Sequence, residues 1–274
     1  RDSAVALDTQ IANSIPVMLL KGGALQAAGF GGSGPRISGD LDILVPRSLY
    51  PRAVAALYAD GWSSRDSSEY AQSSWRFRAG LNLRRGLHGD IDVHHQPIPY
   101  PNVADAVLDA LWARAKPARF LGRSIVIPSP ADMIVMTAAH AVRPATTRQI
   151  SAAWAFDLVA LLKKEGFDVE QVAESAAAFG TKAACATCLT YLDRLVPLDS
   201  TKRIIRLLEH RPLAIRETLG IYAGTRNSRY TAPLRQLAGF IADDQPNRFE
   251  HERRVVPRLR RLRLPVSAIA VSTS

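Results

Sequence analysis

The sequence is short of several things, and each shortage excludes something. Two cysteines in 274 residues cannot build a disulfide framework, so the chain reads as a protein of the reducing cytoplasm. No apolar run approaches the ~20 residues that span a bilayer. The longest early run, Ile15 to Leu20, contains Pro16 and stops at Lys21, which is too short for a secretory core. A membrane partner is therefore not expected. Lysine is scarce: only six of the 35 basic residues are Lys. No internal repeat is present. Against these absences, apolar residues make up 47% and charged residues 22%. That balance suits a globular chain and argues against disorder, collagen-like fibres and coiled coils. The length fits one large domain or two small ones.

The formal charge is +10, and half of it is local. Residues 248–263 carry seven arginines against Glu250 and Glu252. Such a stretch can meet nucleic acid or an anionic surface, and serves equally as a solvated helix end.

Two regions differ in pattern. Residues 1–127 mix strand-like and helix-like segments with many Gly and Ser; residues 128–274 read as nearly all helix. Pro128-Ser129-Pro130 is the joint, with Ser129 placed to cap the next helix. In the first region, 4–14 and 48–60 suit helices. Strands are expected at 17–20, 40–45, 75–83, 90–94 and 125–127, and a Gly-rich loop at 30–38. Lys21-Gly22-Gly23 reads as a turn leading into a helix at 24–28. Beyond the joint, helical periodicity covers 131–142, 150–165, 169–179, 182–195, 201–210 and 213–222, with short connections that favour antiparallel packing.

The chemistry concentrates in Gly39-Asp40-Leu41-Asp42-Ile43-Leu44-Val45. Residues two apart on a strand share a face, so Asp40 and Asp42 project together while Leu41 and Ile43 enter the core. Adjacent carboxylates repel and need a compensating charge, which a hard divalent cation supplies. Asp92 lies in the alternating strand Asp90-Ile91-Asp92-Val93-His94. If that strand neighbours the first, Asp92 completes a three-carboxylate set suited to two metal ions ~3.5–4 Å apart, the arrangement for nucleotidyl transfer. Asp90 shares the face but lies nearer the turn. His94 faces the same way as a phosphate or acceptor contact, whereas His95 points to the opposite face. Lys21-Gly22-Gly23 follows a buried strand and opens a helix, where exposed amides and a lysine charge suit phosphate. It is not a Walker motif. Cys185 and Cys188 would lie on one buried helix face as inert core thiols, and Trp154, Phe156 and Leu161 read as helix core.

Together, Leu19-Leu20-Lys21-Gly22, Arg36, the Asp40/Asp42 strand, Gly61-Trp62, Ile91-Asp92-Val93-His94, His140 and Trp154-Ala155-Phe156-Asp157-Leu158 resemble the uncharacterised nucleotidyltransferase family of the DNA polymerase β superfamily. The resemblance covers roughly residues 15–165. It implies an α+β fold: a polymerase-β-like core of a small mixed sheet with flanking helices, followed by an all-helical C-terminal region. It implies transfer of a nucleoside monophosphate from an NTP, with ATP as first candidate, to an acceptor hydroxyl. Asp40 and Asp42 would hold the nucleotide-bound Mg²⁺ (or Mn²⁺), and Asp92 would share a second ion and take the acceptor's proton. Lys21, the Gly22-Gly23 amides and Arg36 would bind the triphosphate. The acceptor, a small molecule, peptide or protein, is left open. Two other readings also stay open: a catalytically silent nucleotide-binding regulator, and an RNA- or tRNA-directed nucleotidyltransferase toxin suggested by the basic stretch.

Overall fold

The computed structural model describes residues 2–30, 40–64, 79–86, 89–98, 103–142, 153–164 and 166–209. The expected loop at 30–38, except Phe30, the helix at 213–222 and the basic stretch 248–263 lie outside them. The chain opens with helix α1 (Asp2–Ala12), strand β1 (Met18–Leu19), helix α2 (Lys21–Ala27) and strand β2 (Leu41–Leu44). A 3-10 turn (Arg47–Leu49) leads into α3 (Tyr50–Ala59), then β3 (Ser63–Ser64), β4 (Gly80–Arg85) and β5 (Gly89–His94). Helix α4 (Asp105–Ala113) and the hairpin β6 (Lys116–Phe120) and β7 (Arg123–Ile127) complete the mixed part. Every described element after Ile127 is a helix: α5 (Pro130–Ala141), α6 (Ala153–Lys163), α7 (Val169–Ala178), α8 (Lys182–Leu195) and α9 (Asp199–Glu209).

The seven described strands form one mixed sheet in the order β3-β4-β5-β2-β1-β7-β6. The β2–β5 and β1–β7 pairs are parallel, and the other pairs are antiparallel. The α+β class with a helical C-terminal part is therefore the fold. Leu41, Ile43, Ile91 and Val93 are buried on one face of the central strands. One continuous apolar core runs from α1 and the sheet through α5 to α9, so the mixed and helical parts are not packed as separate cores.

Several local expectations need correction. The switch from β1 to α2 takes no separate turn: α2 begins at Lys21, whose φ of +47° makes the reversal in one residue. The helix expected from residue 48 starts two residues later, and Ser48 does not cap it. Ser48 lies inside the 3-10 turn, and α3 starts after Leu49 without a side-chain cap. Gly61, at φ +83°, does end α3 in the left-handed region, where glycine carries no Cβ penalty. Three elements escaped the sequence reading, the two-residue strand β3 among them. Strand β6 holds Pro117 and buries none of its residues fully, a pattern tolerated because β6 is an edge strand. Helix α4, just before β6, has Leu108 and Leu111 as its buried stripe.

The joint between the two regions is held by charge as well as by apolar packing. Ser129 accepts a hydrogen bond from the Asp132 backbone N–H, the expected cap of α5. The fully buried Asp132 carboxylate accepts from Ser129 Oγ (2.7 Å), Ser175 Oγ (2.6 Å) and both Arg114 Nε and Nη2 (3.2 and 2.8 Å). Thus α4, α5 and α7 meet on one side chain. Breaking a buried pair by removing one partner leaves a charge without compensation. Arg114→Met is expected to cost about 3 kcal/mol, read as a fall in the denaturant midpoint. A midpoint equal to wild type would show the guanidinium adds nothing.

Candidate active site

Parallel pairing of β2 with β5 sets the register of the acids. Leu41 lies opposite Ile91, Asp42 opposite Asp92, and Leu44 opposite His94. Opposed residues of neighbouring strands project from the same face. Asp42, Asp92 and His94 therefore share the face away from the Leu41/Ile43 side, and ligand atoms of all three lie within 4.8 Å of one another. The neighbourhood expected of Asp42 and Asp92 exists in the structure. Asp40 stands outside that set, exposed just before β2 begins.

The environment separates the carboxyl groups. Burial pushes the Asp42 carboxyl up, but the hydrogen bond from His94 and the Lys21 ammonium more than offset it, and the group is held below the ordinary range. His94 Nε2 lies 2.9 Å from Asp42 Oδ1, and Lys21 Nζ forms an ion pair with the same oxygen. Asp92 goes the other way. Burial raises it, and the charges of Asp42 and Asp40 add to the rise against the lowering effect of His94. Desolvation, then the charge of Asp42, also raises Asp40.

Asp92 Oδ1 is buried and accepts no hydrogen bond among the described residues. A buried carboxylate oxygen without a donor is costly. It faces the strand carrying a second carboxylate, and that donor set of oxygens with one imidazole nitrogen fits a divalent cation. The residues present therefore suit the metal that the acidic strand led us to expect.

Lys21 is placed by the sheet. The Leu20 N–H donates to the Asp42 carbonyl (3.0 Å), so the chain leaves β1 directly beside Asp42. The Lys21 ammonium is thereby an ion-pair partner of Asp42. Gly22 is half-buried at the start of α2. Gly23 is buried, and a Cβ there would come within 3.3 Å of Leu41 Cδ1, so its smallness serves helix-on-sheet packing. Arg36 and Gly39 lie outside the described residues.

Asp90 is paired with Arg84 (3.2 Å), in keeping with its lower rank among the acids. His95 is buried on the other side, edge-on to Tyr50 at 5.0 Å. Cys185 and Cys188 are buried, and burial pushes the Cys188 thiol up to about 12, which leaves it unreactive. Leu161 is core, but Phe156 is 75% exposed and is not. Helical spacing turns Phe156 away from the buried stripe of Leu158, Leu161 and Leu162. The sequence reading also missed Gly80. A Cβ there would sit 2.4 Å from the Val93 carbonyl oxygen and 2.9 Å from His94 Nδ1, so only glycine lets β4 approach β5 beside His94. The available signal was a glycine within a strand pattern, which marks close backbone approach.

No curated protein matches the sequence. Among solved structures, the solution structure of the antibiotic-resistance factor ANT(2'')-Ia is 16% identical, covering 69% of this chain and 95% of that one, with a TM-score of 0.42. A crystal structure of ANT(2'')-Ia with adenylyl-2''-tobramycin is 15% identical, covering 66% and 98%, with a TM-score of 0.44. An antigenic nucleotidyltransferase-like protein from Paracoccidioides brasiliensis is 12% identical, covering 78% and 94%, with a TM-score of 0.45. The profile of one family, described as an uncharacterised nucleotidyltransferase, matches residues 6–197. That span is well over half of the chain and holds Lys21, Asp40, Asp42, Asp92 and His94, and the chain belongs to this uncharacterised nucleotidyltransferase family.

Proposed function

We propose that the protein moves a nucleoside monophosphate from an NTP to an acceptor hydroxyl, on a small molecule, peptide or protein. The observation that carries this reading is the register of β2 and β5, which puts Asp42 beside Asp92 and leaves Asp92 Oδ1 without a donor. The acceptor oxygen bonds to the α-phosphorus, the bond from that phosphorus to the bridging oxygen breaks, and pyrophosphate leaves with the electron pair. Asp92 takes the acceptor's proton. Its burial disfavours the bare carboxylate and so raises its appetite for a proton. Asp42, held ionised by His94 and Lys21, and Asp40 supply the remaining negative charge for a cation. Mg²⁺ or Mn²⁺ bound by Asp40, Asp42 and Asp92 would supply charge neutralisation at the phosphoryl oxygens. Lys21, with the Gly22 and Gly23 amides and Arg36, binds the triphosphate, and His94 stands beside the acceptor or phosphate. ATP is the first donor to test.

The test is incubation with each of the four NTPs, Mg²⁺ or Mn²⁺, and candidate acceptors including the protein itself. Pyrophosphate release and a mass gain of one nucleotide on an acceptor are expected. Nucleotide binding without pyrophosphate from any NTP would instead support a silent regulator, the reading favoured if Lys21 stays on Asp42 in the nucleotide-bound state.

A further inference from the structure

Lys21 carries two features that triphosphate binding does not explain. Its backbone lies at φ +47°, a conformation that glycine adopts freely and other residues adopt only at an energetic cost. Glycine follows it directly, at 22 and 23, yet the reversal falls on the lysine. The side chain then folds back onto Asp42 Oδ1, the same oxygen that His94 Nε2 approaches. Asp42 is 5% exposed and Lys21 35%, so the acid is fixed in the wall while the ammonium sits at the open side. A cation between Asp42 and Asp92 would need an oxygen of this same Asp42 carboxylate. An ammonium and a divalent ion cannot both hold it closely, since their charges repel at such range.

We propose that Lys21 is an exchangeable counter-ion of the active site. In the empty protein its ammonium neutralises Asp42 and keeps the acidic face from repelling itself. A divalent cation displaces it, and the released side chain transfers to the phosphates of the nucleotide. Metal loading thus precedes the lysine's contact with substrate, and the empty site is closed to a bare NTP because its cation is already engaged. Lysine suits this task better than arginine. Its flexible stem moves a compact point charge, whereas a guanidinium would hold the carboxylate in a planar two-point grip. The inference rests on the nucleotidyl-transfer reading, and it adds an order of events and a second partner for one residue.

Amine labelling of the full chain, read by mass spectrometry at Lys21, follows the side chain directly. Slow labelling is expected in the metal-free protein, about 5-fold or faster labelling with Mn²⁺ alone, and renewed protection when a non-hydrolysable NTP analogue joins the Mn²⁺. In parallel, Lys21→Met should bind Mn²⁺ alone about 5-fold or more tightly than wild type, while binding Mn²⁺ with the NTP analogue more weakly. Circular dichroism confirms that the variant is folded. A labelling rate unmoved by Mn²⁺, or a folded Lys21→Met that binds Mn²⁺ alone no better than wild type, would overturn the exchange while leaving nucleotidyl transfer standing. A wild-type protein that binds neither Mn²⁺ nor the analogue would remove both.

Discussion

Asp42→Asn is expected to lower nucleotidyl transfer by roughly 10³-fold or more, because it removes a carboxylate from the place where the metal's charge is needed in the transition state. The reason lies in position rather than in charge count. Within the site, Asp42 is the carboxylate held both ionised and buried, fixed by His94 at 2.9 Å and flanked across the sheet by Asp92. Asparagine has the same shape, so the strand need not shift. Its amide oxygen still accepts from His94, and Lys21, at the open side, can turn to water. Stability should therefore change by no more than about 1 kcal/mol, checked by thermal melting beside the turnover assay. A folded Asp42→Asn variant that keeps a tenth or more of wild-type turnover would remove Asp42 from the mechanism.

Asp92→Asn should separate stability from activity. In the metal-free protein Asp92 is raised by burial, with an oxygen that accepts no hydrogen bond. A carboxyl whose folded value exceeds its unfolded value binds its proton more tightly in the folded state. Its effect on stability is therefore neutral below the unfolded range, near pH 4, and becomes a loss as pH rises through the raised value. Asparagine carries no charge to desolvate. The variant should melt about 2–4 °C higher than metal-free wild type at pH 7, with the gap closing in acid. Turnover should fall by about 10²–10⁴-fold, the usual loss when a positioned base is removed. Added Mg²⁺ should raise the melting point of wild type more than that of the variant. A variant that melts lower than wild type at pH 7 would mean that Asp92 is structurally satisfied and not reserved for a ligand.

How much of this was legible beforehand follows from the range of the interactions involved. Alternation in Leu41-Asp42-Ile43 and Ile91-Asp92-Val93 is a property of adjacent residues, so both strands and the facing of their acids could be read directly. Ser129 as a cap and Lys182–Leu195 as a helix are likewise local. Lys21 was read as a phosphate ligand from its turn. Its bond to Asp42 depends on β1 pairing with β2, a tertiary fact that no spacing of 21 residues discloses. The left-handed backbone at Lys21 was hidden because the neighbouring glycines are the usual carriers of that conformation. Strand β6 was hidden by Pro117, which an edge permits and a central strand would not. Phe156 was misread because an aromatic in an apolar helix is usually core, while the phase of Leu158, Leu161 and Leu162 decides the buried side.

The most direct measurement is a crystal structure of the full chain with Mn²⁺ and a non-hydrolysable NTP, collected where manganese scatters anomalously. The account predicts an anomalous peak in contact with both the Asp42 and Asp92 carboxylates and with the nucleotide's phosphates. Nucleotide bound elsewhere, or a manganese-free face with Lys21 still on Asp42, would contradict it.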